Sequence, residues 1–82
     1  MIKQKFNNLA LPVRAALVFG EGRLIGTFDS NSSQTIFYYK LNDLKIDVVY
    51  NKTNMKVVDI FAWENSIERL AYLKQKQEYK QT

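Results

Sequence analysis

Four apolar runs joined by short, turn-forming loops constrain this chain more than any other feature. Residues 23–29, 34–41, 45–50 and 56–62 are rich in β-branched and aromatic side chains, and between them lie Ser30-Asn31-Ser32-Ser33, Asn42-Asp43 and Asn51-Lys52-Thr53-Asn54. Such loops hydrogen-bond their own backbone and reverse the chain. They are too short for the crossover that a parallel pair requires, so the four strands must form an antiparallel meander.

Helical patterns flank the meander. Residues 11–19, with Pro12 suited to a first helical turn and Gly20 or Gly22 to its end, place Leu9, Val13, Ala16 and Leu17 on one face. The same letters also permit a hairpin of "LVF" against "RLI", and that alternative stays open. At the other end Asn65 is an N-cap with Glu68 three residues on, and the helix it starts turns Ile67, Leu70, Ala71 and Leu73 toward the sheet. The expected fold is α+β, in the order α-β-β-β-β-α, with a four-stranded antiparallel meander and the helices packed on one face. With 82 residues it is one domain, its ordered body spanning about 9–75 and ending in a polar, basic tail at 76–82.

Register follows from the turns. A tip at Asn42-Asp43 sets Lys40 opposite Lys45, Tyr39 opposite Ile46, Tyr38 opposite Asp47, Phe37 opposite Val48 and Ile36 opposite Val49. One face then holds Phe37, Tyr39, Leu41, Leu44, Ile46, Val48 and Tyr50, joined by Val58, Ile60 and Ala62 if Asp59 points outward. The other face is left with Ile36, Tyr38, Val49, Val57 and Phe61, an apolar patch that the chain has no spare element to cover. A patch of this kind marks an interface. These five residues are therefore the candidate interface, with a homodimer or an unidentified protein partner as its occupant, or the N-terminal segment with Ile2 and Phe6 folded over it.

Composition excludes much chemistry. There is no cysteine and no histidine, which removes disulfides, thiolate metal sites and the usual general base and metal ligand. No catalytic, metal or cofactor motif is present, and no cofactor is expected. No apolar run approaches the ~18 residues of a membrane span, and the N-terminal block is short and broken by Arg14, so a cytoplasmic protein is expected. The net charge of +4 resides at the ends, in Lys3 and Lys5 and in Lys74, Lys76 and Lys80 against Glu78, while cations and acids between them balance. Nucleic-acid binding through Tyr38, Trp63 and these ends is a possible but less favoured reading, because a duplex reader carries its basic footprint on the folded face. Asp47 and Asp59, opposite each other if the third turn centres on Thr53, would form a carboxylate pair or an ordinary charged sheet surface. Trp63 serves either as a recognition aromatic or as a staple at the strand-to-helix corner.

Two resemblances accompany this reading. The run from Phe37 to Tyr50, "FYYKLNDLKIDVVY", followed by Asn54, Val57 and Ile60, resembles a family of small bacterial α+β proteins of unknown function, departing from it at Leu44-Lys45 and at Val49. The likeness extends over about residues 11–73 and implies the fold without implying an activity. The segment "KIDVVYNKTNMKVVDIFAWENSIERLAYL" is similar to the closing part of RelE-like ribosome-dependent RNase toxins. That likeness would cast Arg69, Tyr72 and Lys74 as the groups acting on RNA, though the chain lacks a histidine and a basic groove.

Overall fold

A computed structural model describes residues 1–81, with the side chains of all but Ser30, Asn31, Leu73 and residues 75–81. Two helices, α1 (Lys3–Asn7) and α2 (Leu11–Glu21), precede β1 (Arg23–Asn31), β2 (Gln34–Leu41), β3 (Leu44–Asn51) and β4 (Lys56–Trp63), and α3 (Ser66–Gln81) follows. The strands form one antiparallel sheet in the order β1-β2-β3-β4, the expected meander. The expected tail at 76–82 shares the α3 backbone as far as Gln81, and its side chains and Thr82 lie outside the described residues.

The segment 11–19 is helical. Pro12 occupies the first turn, where its missing N–H costs nothing, and the helix closes with the Gly22 amide donating to the Val18 carbonyl at 2.8 Å. A Cβ on Gly22 would stand 2.6 Å from that carbonyl oxygen, so only glycine fits this closure. The stripe turned to the core is the buried Val18 with the partly buried Leu11 and Ala15, and Leu17 beside it; Val13 and Ala16, expected inward, are exposed.

The register of β2 on β3 is the one expected, from Lys40 opposite Lys45 to Ile36 opposite Val49. Its tight tip is made possible by Asn42, which adopts the left-handed conformation at φ 54°. The β3–β4 hairpin differs in one respect. Its turn runs one residue longer, closing with Met55 at φ 60° and its amide donating to the Asn51 carbonyl, so Tyr50 faces Val57. An irregularity between Val49 and Tyr50 then absorbs Val58, after which Val49 faces Asp59 and Asp47 faces Phe61. Val57 is thereby turned onto the core face, contrary to its expected place on the outer patch.

The core lies between that face and the first two helices. Phe6, Val18, Leu41, Leu44, Ile46, Val48, Ile60 and Ala62 are buried together, with Phe37, Tyr39, Tyr50 and Val57 packed around them. Phe37 and Tyr50 meet edge to face at 4.8 Å. The short α1 was not expected as a helix, and it inserts Phe6 fully into this core.

Helix α3 lies on the opposite face, a correction to the expectation that all helices share one side. Asn65 caps it as expected, accepting the Glu68 amide at 2.9 Å. The side it turns to the sheet carries Arg69 and Tyr72, whereas Ile67 and Leu70, expected inward, are 80% and 65% exposed. Ala71 is exposed as well, and the Leu73 side chain lies outside the described residues. The second face of the sheet is thus covered by the chain's own last helix.

Candidate interaction surfaces

The outer face is organised by two carboxylates. Alternation along β3 and β4 points Asp47 and Asp59 to the same side, and the longer turn with its extra residue keeps them from facing each other as a pair. Asp47 is fully buried, and Arg69 donates to it twice, from Nε to Oδ2 at 2.6 Å and from Nη2 to Oδ1 at 3.1 Å. This bidentate geometry is the strong form of a carboxylate–guanidinium pair. Burial pushes the Asp47 carboxyl above the ordinary carboxylate range, opposed by Arg69 and by the neighbouring Trp63 indole.

Aromatic rings enclose the same guanidinium. The Arg69 guanidinium carbon lies over Phe28 at 4.7 Å, over Trp63 at 4.9 Å and over Tyr38 at 5.8 Å from the ring centroids. Cation–π attraction of this kind strengthens as water is excluded. Trp63 is buried at the corner between β4 and α3, tilted against Tyr38 and flanked by Lys45, which fits the expected staple. One turn further along α3, Tyr72 stacks flat on Phe61 with centroids 3.9 Å apart, and its hydroxyl donates to Asp59. Burial and this donation to a carboxylate raise the Tyr72 phenol well above the usual tyrosine range.

The five residues of the expected patch are therefore divided. Ile36 and Val49 are fully buried, Phe61 lies under Tyr72, Tyr38 is part-buried beside Arg69, and Val57 belongs to the other face. What the sequence reading missed is that acids at 47 and 59 on an otherwise apolar face call for a cation and a hydroxyl from the following helix. The spacing of Arg69 and Tyr72, three residues apart on one helical face, carries that signal.

The sheet margins differ sharply. At the β4 edge, Asn7 donates to the Ala62 carbonyl at 3.0 Å and accepts the Ala62 amide at 2.8 Å. Arg14 donates to the Ile60 carbonyl and, at 3.3 Å, to Asp59, which in turn accepts the Ile60 amide at 2.8 Å. Helices α1 and α2, with Asp59, so occupy the backbone groups of Ile60 and Ala62 along this edge. At the β1 edge, among the described residues, no side chain bonds to the backbone of residues 23–29. Around it Leu24, Ile25, Phe28 and the α2 residue Phe19 are 50%, 46%, 39% and 46% exposed.

Little else resembles a site. A shallow depression of about 390 Å³ between the N-terminus and the β2–β3 turn is lined by Lys3, Asp43, Lys45 and Glu64 among others, and Lys3 there is engaged by Glu68 at 2.9 Å. Among the described residues no cluster of acidic side chains could hold a metal ion, and no helix is long and apolar enough to cross a membrane. Comparison with family models, curated proteins and solved structures finds no match to this chain.

Proposed function

We propose that this protein is a non-enzymatic interaction domain that engages a protein partner by strand addition at β1. The observation that carries the reading is the open β1 edge beside four half-exposed apolar side chains, on a sheet whose other edge is closed by Asn7 and Arg14. An added strand gains main-chain hydrogen bonds from such an edge and specificity from the side chains along it. Self-association through the outer face itself would require α3 to leave Asp47, Phe61 and Asp59, so the edge is the readier surface.

The same geometry disfavours the RNase reading. Arg69 is committed to Asp47 and to three rings, and a Tyr72 phenol held protonated by burial and by Asp59 is a poor base for a ribose hydroxyl. Tyr38 and Trp63, the aromatics that would stack on bases, carry Arg69 over their rings. A photo-crosslinking residue at Thr27, in the middle of the open edge, tests the proposal in cells, with Met55 at an exposed turn as control. The expected result is a discrete adduct from Thr27 and none from Met55. Equal labelling, or none from either position, would overturn the reading.

A further inference from the structure

We infer that the strand received at β1 is the β1 strand of a second copy of this chain, paired antiparallel about a two-fold axis at Thr27. The inference rests on the edge reading above and adds the identity of the partner. An isologous contact requires a surface complementary to itself, and β1 meets that requirement in three ways.

Its regular stretch is Gly26 to Asp29, bounded by irregularities between Leu24 and Gly26 and between Asp29 and Asn31. The irregularities limit the pairable run without closing it, and the first leaves Ile25 outside the ladder and half-exposed. Gly26 and Phe28 pair with Tyr38 and Ile36, so both lie on the outer face. With the axis at Thr27, Phe28 of each copy falls opposite Gly26 of the other. A Cβ at Gly26 would meet nothing within 4 Å, so there is open space for that ring. An aromatic across from an edge glycine is a recognised way to stabilise a strand pair. Thr27 meets its own counterpart on the axis, a favourable cross-strand pair.

Charge does not oppose this orientation. Arg23 pairs with Lys40 and shares the outer face with Phe28, and Asp29 pairs with Thr35 and shares the other face with Thr27. Antiparallel pairing about Thr27 sets neither charge opposite its own counterpart. Leu24, Ile25 and Phe19, which flank the edge, would be shielded in both copies at once.

The axis gives a specific test. Thr27 is exposed, so a charge there is tolerated by the single chain but meets its own copy in the dimer. Mass is measured by light scattering on the wild type, on Thr27→Lys, on Thr27→Glu and on their equimolar mixture, at tens of micromolar, where a contact of roughly micromolar affinity is occupied. The expected result is twice 9.6 kDa for the wild type, 9.6 kDa for each variant alone and a return to the doubled mass in the mixture. A wild type of single-chain mass, or a dimer indifferent to both variants, would overturn the inference. If the wild type is monomeric while Thr27 crosslinks a foreign protein in cells, the edge reading stands and the second copy falls. A dimer indifferent to both variants, with no adduct at Thr27, removes both.

Discussion

At the β4 edge Asn7 takes both backbone groups of Ala62 and Arg14 takes the Ile60 carbonyl, whereas at the β1 edge no described side chain hydrogen-bonds to the backbone of residues 23–29. Exposed strand edges invite pairing with other chains, and folded proteins usually blunt them with charge, proline or a covering segment. Here a five-residue helix and one arginine serve that purpose on one side. The opposite margin keeps apolar residues and lacks a lysine or proline within the strand. The contrast teaches that the N-terminal segment has a task beyond filling the core: it decides which edge of the sheet remains available.

The comparison breaks most severely at Phe6, which anchors the guard. Phe6→Ala removes a fully buried ring, so the expected loss is about 3–5 kcal/mol by chemical denaturation. Because α1 then loosens, Asn7 should release Ala62 and the variant should aggregate through β4. A loss under about 1 kcal/mol, a typical surface effect, would show that α1 is not docked.

The clasp of α3 reaches from Phe28 on β1 to Asp59 on β4, and its charged centre is the next largest effect. Arg69→Met strands a buried carboxylate and should cost about 3 kcal/mol, while adding Asp47→Leu in the same chain should recover most of it. The pH dependence follows from the raised Asp47 carboxyl. The folded state holds that proton to higher pH than the unfolded chain, so the associated stability is complete below the ordinary aspartate range, near pH ~4, and is lost as pH rises through the folded value. Wild type should therefore lose stability relative to Asp47→Asn as pH rises above about 4. A difference that grows in the other direction contradicts the dominance of burial over the Arg69 pair.

Smaller changes sharpen the contrast between the edges. Asn7→Ala unpairs two backbone groups of β4 and should cost about 1–3 kcal/mol, with self-association through that edge appearing as a second, larger species on sizing. Thr27→Lys, on the open edge, should leave the dilute protein within about 0.5 kcal/mol of wild type. A large loss there would mean that Thr27 packs against its own chain.

Much of this arrangement is legible in the residues. The β2–β3 register followed from the Asn42-Asp43 tip, because a tight turn fixes pairing and alternation then assigns every side chain to a face. One hairpin later the same logic misplaced Val57, since the left-handed Met55 and the extra Val58 are set by local backbone geometry that alternation cannot register. The α3 face was misassigned for a different reason. Hydrophobic periodicity favoured Ile67 and Leu70, but the surface awaiting the helix offers Asp47 and Asp59 among aromatic rings, and these select Arg69 and Tyr72. Helix α1 is too short to show a period, and its signal was the single apolar Phe6 beside an asparagine. The open edge was invisible in the sequence because a strand's neighbours depend on what the rest of the fold leaves uncovered.

The difference between the edges is tested most directly by amide hydrogen exchange at two protein concentrations. Between low and high micromolar chain, peptides spanning 23–31 should gain protection, those spanning 56–63 should not change, and Thr27→Lys should abolish the gain. Exchange in 23–31 that ignores concentration, or protection that rises at 56–63 instead, would contradict the account.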